Sequence, residues 1–138
     1  DTMAMSEFNY FTMNGSAGPD IVPMTAAVGE RVRIPVVNLS MLTHPIHLHG
    51  HSYKISDWGA GFLPPHQQIL ANTTDISSAE ARAFEFTALR KGKWLLHCHF
   101  MHHTMNDMHR IPIPGSGGGH GGHGGHDMGG MHTWIEVT

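Results

Sequence analysis

The chain has 138 residues, the size of one ordinary domain built on one core, typically about 100–150 residues. Its formal net charge of −3 offers no basic stripe for a phosphate backbone, which argues against a nucleic-acid partner. The chain also lacks the run of about 18 apolar residues that a membrane span requires. Fourteen histidines and ten methionines stand against a single cysteine, so an intrachain disulfide is excluded and soft ligand atoms are over-supplied.

The opening DTMAMSEFNYF has neither a basic n-region nor an apolar h-region, which leaves a cytosolic protein or a mature chain whose leader has been removed. Runs of β-branched and aromatic residues then predict strands at Phe8 to Met13, Arg31 to Val37, Ile46 to Ile55, Ala83 to Thr87, Trp94 to His97 and Thr133 to Val137. The turn clusters NGSAGPD, AVGE, LSML, DWGAGFLPP and RKGK separate them. Alternation is clearest at Arg31, Val32, Arg33 and Ile34, where a charged face opposes an apolar one. SSAEARA, Ser77 to Ala83, is the one short helical candidate. The fold class is therefore all-β, a β-sandwich or barrel. GSGGGHGGHGGHDMGGMH, at about 115–132, has no periodicity and reads as a flexible Gly/His/Met-rich loop before the last strand.

Nine of the fourteen histidines fall in THPIHLHGH, Thr43 to His51, and in HCHFMHH with its neighbour His109. Side chains on a strand alternate faces with period 2, so His97 and His99 point one way and Cys98 the other. His47 and His49 likewise share a face, and two such strands place four imidazoles on one surface. On the thiol side, His103 and Met108 follow Cys98 at offsets of five and ten, spacings a loop can return. His44 precedes the first His-x-His pair and completes the set. His44, Cys98, His103 and Met108 form the two-imidazole, one-thiolate, one-thioether combination of a blue-copper electron-transfer site. Zinc matches less well, because its structural sites favour several cysteines and do not select a thioether.

HPIHLHGH together with HCHFMHHTMNDM closely resembles the two copper-binding motifs of the last cupredoxin domain of multicopper oxidases, the laccase-like enzymes. FTMNGSAGPDIVPMTAAVGERVRIPVVNLS resembles the segment that leads into the first motif, so the likeness covers about residues 8–110. The resemblance implies a cupredoxin-like Greek-key sandwich spanning residues 1–138 as one domain, with copper as cofactor. It implies that His44, Cys98, His103 and Met108 hold a type 1 copper, which takes electrons from a small reducing substrate, a phenol or a metal ion. His47 would bind a type 2 copper, and His49, His97 and His99 a type 3 pair. Cys98, flanked by His97 and His99, would conduct electrons to that trinuclear cluster, where dioxygen is reduced to water. An extracytoplasmic location, periplasmic or secreted, is also implied. The motif gives His51 no ligand role, so a supporting or structural one is expected. His102 and His109 read as solvated or supporting, and His66, in a loop after Pro64 and Pro65, as surface.

In the family, the trinuclear cluster takes eight histidines, four from this kind of domain and four from another. A chain of this length supplies only His47, His49, His97 and His99. Three readings follow: a homo-oligomer supplies the other half, another cupredoxin domain supplies it, or the face stays incomplete. A self-complementary patch favours a twofold contact, whereas the ring-like arrangements of cupredoxin domains favour a trimer; the trimer is the preferred expectation. The leading function is a copper-dependent oxidase, against a single-copper electron carrier or a copper-storage protein. His120, His123, His126, Met128, Met131 and His132 either gather copper on the loop or line a spacer.

Overall fold

A computed structural model describes residue 8 and residues 10–106 and 128–138. Nine strands are present among the described residues: β1 Met24–Ala26, β2 Arg31–Val37, β3 His44–Leu48, β4 Tyr53–Asp57, β5 Ile69–Ala71, β6 Thr73–Ile76, β7 Ala81–Thr87, β8 Gly92–Cys98 and β9 His132–Val137. They form a five-stranded sheet in the order β1-β9-β8-β3-β6 and a four-stranded sheet in the order β2-β7-β4-β5. Among the described strands, only β1 and β9 pair in parallel. Successive strands switch sheets at most connections, so the chain repeatedly closes over one core. Among the described residues no helix is long and apolar enough to cross a membrane.

The core lies between the sheets, where the alternation places it. On β2, Val32 and Ile34 pair with Phe86 and Phe84 on the inner face, while Arg31 and Arg33 face solvent. Arg31 forms an ion pair with Glu85, and Arg33 one with Asp57 at 3.3 Å. β2 is a sheet edge and carries Pro35, a residue that cannot donate a ladder hydrogen bond and is confined to such edges. On β3 the buried residues are His44, Ile46 and Leu48, so the metal-type His44 shares the core face with two aliphatic side chains. Tyr53 on β4 stacks on Phe84 with centroids 4.2 Å apart. Its hydroxyl donates to the Ile46 carbonyl at 3.0 Å and lies 2.9 Å from Thr74 Oγ1, which ties one sheet to the middle of the other.

Several expected elements differ. Ile46 to Ile55 is two strands, broken after Leu48: Gly50 has φ +69°, and a Cβ there would sit 2.1 Å from the Trp94 ring. Both the left-handed backbone and the close approach require glycine. Ser77 to Ala83 is a turn leading into β7 rather than a helix, with Ala79 at φ +62° and Glu80 accepting from the Ser77 amide. Phe8 to Met13 forms no strand; among its described residues only an isolated bridge from Met13 to Ser16 remains, because Phe11 turns inward to the site described below.

The end of the glycine-rich segment is also built differently from a flexible loop. Gly130 accepts from the Gly18 amide and donates to the Thr104 carbonyl, and the Met131 carbonyl accepts from the Cys98 amide. A Cβ on Gly130 would lie 2.1 Å from the His103 carbonyl oxygen, so this glycine permits backbone contact. Residues 107–127, which include His120, His123 and His126, lie outside the described residues.

Tyr53→Phe removes the inter-sheet hydrogen bond while keeping the ring. A loss of about 1–2 kcal/mol is expected, read as a lower urea midpoint at an unchanged slope.

Candidate metal centre

β3 and β8 are neighbours in the five-stranded sheet, paired with Ile46 opposite Cys98, His47 opposite His97 and Leu48 opposite Leu96. Opposed residues share a face, so this register sends Cys98 to the core side and His97 to the outer side together with His47. His44, two residues before Ile46, reaches the Cys98 side. Directly after β8, the single-turn helix α1, Met101–Thr104, carries His103 back over the thiol.

The inner group is closely convergent. Cys98 Sγ lies 3.7 Å from His44 Nδ1 and 3.5 Å from His103 Nδ1, and the two Nδ1 atoms are 3.1 Å apart. Ligands held at about 2.0–2.3 Å from one ion stand about 3.3–3.7 Å from one another, so this triangle fits a single metal with little movement. All three side chains are buried. Phe11 roofs the group, with its ring centroid 4.0 Å from that of His103. Asn106 holds Phe11 there by accepting its amide at 2.7 Å and donating to the Gly129 carbonyl. Met108, the expected fourth ligand, lies outside the described residues.

The outer group is His47, His49 and His97, whose candidate ligand atoms all lie within 4.8 Å of one another. His49 Nε2 and His97 Nε2 are 3.1 Å apart. His99 joins them, with its ring 5.4 Å from that of His47 and 5.6 Å from that of His97. Two of these rings are oriented from behind: His47 Nδ1 meets Thr73 Oγ1 at 2.7 Å, and His97 Nδ1 donates to the Cys98 carbonyl at 2.8 Å. With Nδ1 so engaged, Nε2 is the lone-pair atom offered outward. The Cys98 peptide therefore belongs to both groups, through its thiol on one face and its carbonyl on the other.

Burial sets the protonation states. It lowers His103 to about 4, helped by neighbouring His102 and His44. It lowers His97 to about 4, against the opposing effect of its bond to Cys98 and with the help of His49, His47 and His99. His44 and His47 are lowered for the same first cause. Burial raises the Cys98 thiol to about 11, with Asp75 adding to the rise and the Phe100 amide opposing it. His44, His47, His97 and His103 are thus neutral donors at neutral pH, and the thiol surrenders a proton only to a metal that stabilises the thiolate.

The remaining histidines separate cleanly. His51 accepts from the Leu89 amide at 3.3 Å and packs between the Phe86 and Trp94 rings, a packing role. His102 is exposed beside Phe100, and His66 is exposed in a 3-10 turn. His109 lies outside the described residues. From the expected copper loop, Met131 and His132 are buried instead: Met131 packs in the core and His132 opens β9 opposite His97. Met128 is half-buried at the start of the same packed stretch. Residue types alone did not reveal Phe11 and Asn106; their roles come from a contact across 95 residues of chain.

The profile of the multicopper oxidase family matches residues 1–112. Copper resistance protein A of Escherichia coli is 34% identical over 100 residues, covering 72% of this chain and 16% of that protein. Laccase-6 of Arabidopsis thaliana is 37% identical over 103 residues, covering 64% of this chain and 17% of its own. The chain thus spans about a sixth of the length of these curated relatives. A solved blue copper oxidase from Nitrosomonas europaea superimposes with a TM-score of 0.75 at 26% identity, covering 95% of this chain and 35% of that one. The two-sheet sandwich is the cupredoxin fold of such oxidases.

His97 and His103 are held neutral in the fold at about 4, against 6.5 when free. Their folded values are depressed, so the unfolded chain takes up more protons between these limits. Stability of the metal-free protein is expected to be complete above pH 6.5 and to fall progressively toward pH 4. Denaturant midpoints measured across that window test the sign, and a midpoint that rises on acidification would contradict it.

Proposed function

Because the chain belongs to the multicopper oxidase family, we propose that it is the domain of a copper-dependent oxidase that receives electrons from a reducing substrate and delivers them to dioxygen. The observation that carries this reading is the pair of donor groups on opposite faces of β8, joined through the Cys98 peptide. A simple electron carrier accounts for His44, Cys98 and His103 but gives no reason for four imidazoles gathered on the opposite surface. Copper, when bound, supplies one-electron redox chemistry at the inner group and the reduction of dioxygen to water at the outer one.

The residues divide the work. His44, Cys98 and His103, with Met108, hold the type 1 copper in a pocket that Phe11 shields from water. His47 serves the type 2 position, and His49, His97 and His99 serve the type 3 pair. Cys98 and its flanking histidines form the short path between them, by covalent bonds along the strand and by the His97-to-Cys98 hydrogen bond. The reductant is a small phenol or an oxidisable metal ion, and the protein works outside the cytoplasm.

The outer face offers half of the eight imidazoles such a cluster takes. Its partner is a second copy of the chain, in a closed trimer ahead of a dimer, or another cupredoxin domain. His49 and His99 are exposed and so reach across to it.

Copper counting with spectroscopy and oxygen uptake tests the reading. An oxidase gives an intense blue band, a near-ultraviolet type 3 band, more than one copper per chain and oxygen consumption. His97→Ala is expected to abolish oxygen uptake by at least about a hundredfold, as for groups that act only in the reaction, while the blue band survives. One blue copper per chain with no oxygen uptake makes the chain a carrier, and many weakly held colourless coppers make it a store. Light scattering on the copper-loaded protein tests the assembly: a monomer at micromolar concentration removes self-completion of the cluster.

A further inference from the structure

The loop between β2 and β3 runs Asn38, Leu39, Ser40, Met41, Leu42 and Thr43, and its polar side chains form a closed network. Asn38 is buried, with 6% of its surface exposed, and all its hydrogen-bonding capacity is used. Its Nδ2 donates to the Leu42 carbonyl at 2.6 Å and to the Ile76 carbonyl at 2.9 Å. Its Oδ1 accepts from the Ser40 amide at 2.9 Å and the Ser40 hydroxyl at 2.7 Å. Because both Nδ2 contacts are carbonyls, the orientation of the amide is set: the oxygen must face Ser40. Ser78 Oγ donates to the Ser40 carbonyl at 2.6 Å, which anchors the loop from the other side.

Ser40 Oγ also lies 2.8 Å from His44 Nε2. A serine hydroxyl has one proton. With that proton directed to Asn38 Oδ1, the oxygen meets His44 only as an acceptor, so the imidazole must carry its own proton on Nε2. Its Nδ1 is then a bare lone pair, and Nδ1 is the atom facing Cys98 Sγ and His103 Nδ1.

We propose that Ser40 and Asn38 are positioning residues for His44, a proton-ordered relay from Asn38 through Ser40 that selects the imidazole tautomer and ring angle needed to bind copper through Nδ1. This rests on the reading of His44 as a type 1 ligand. Ser40 touches no metal and acts only through His44. Its exposed position makes replacement compatible with folding, whereas Asn38 replacement would take a donor from both the Leu42 and the Ile76 carbonyls.

The test uses Ser40→Ala and Ser40→Thr in the whole chain, with two readouts. In the metal-free protein, long-range nitrogen–proton NMR of the His44 ring reports the tautomer. The wild type is expected in the Nε2–H form, Ser40→Ala in a mixture of both forms, and Ser40→Thr restored. In the copper-loaded protein, Ser40→Ala is expected to bind the inner copper about tenfold more weakly, as when a hydrogen-bond partner of a metal-bound histidine is lost. Its blue band and reduction potential shift, and Ser40→Thr recovers both. An unchanged tautomer and unchanged affinity in Ser40→Ala overturn the relay. A wild type that forms no blue centre overturns the type 1 reading instead, and the NMR result separates the two failures.

Discussion

The register between β3 and β8 is the constraint on which the rest of the site depends. Ile46 faces Cys98 and His47 faces His97, and with a side-chain period of two a slip by one residue would turn every group to the wrong face. A slip of β8 would carry the thiol into solvent and His97 and His99 into an apolar core, and a slip of β3 would do the same to His47 and His49. The cost of burying unpaired polar rings beside exposed Ile46 and Leu48 is what holds the register. Tyr53 reinforces it at the backbone by bonding the Ile46 carbonyl from the facing sheet. Folding and the placement of the candidate donors are therefore coupled here: the aliphatic residues that make the core are interleaved, residue by residue, with the histidines and the cysteine.

The inner group depends on more than the two strands. β8 delivers Cys98 and β3 delivers His44, but a third candidate donor on the same side needs the chain to reverse, and α1 does this in a single turn. That turn has no side-chain cap at its start. It is held by what packs on it: the Thr104 hydroxyl on the Cys98 carbonyl, Asn106 on the Phe11 amide, and Gly130 and Met131 on the carbonyls behind it. The helix is thus a product of tertiary contacts, as a helix this short must be.

This explains what was legible in the sequence and what was not. The His-x-His pairs and the central cysteine could be sorted onto faces, because alternation is a local rule and each motif lies on one strand. The two-faced β2 was legible for the same reason. The break at Gly50 was not, since the need for glycine comes from a tryptophan 44 positions away in the chain. Nor was the fate of Phe11, which the local pattern placed in a strand and the fold made into a roof. Met131 and His132 sat in a composition that reads as loose, yet the backbone of the neighbouring glycines is what allows them to pack. In each case the missing information was a contact between distant segments, to which local composition is blind.

Pro35, at the edge of the second sheet, has a consequence for how copies of the chain meet. An edge strand invites another strand to add to it, and proline with flanking arginines is a common means of refusal. Arg31, Arg33 and Pro35 lie on β2, the outer strand of that sheet. Encounters between crowded copies are thereby denied continuous sheet growth at this border. The histidine face lies on β3 and β8 of the other sheet, so the meeting surface proposed above would be kept physically apart from the β2 border, and assembly there would not feed fibre-like extension.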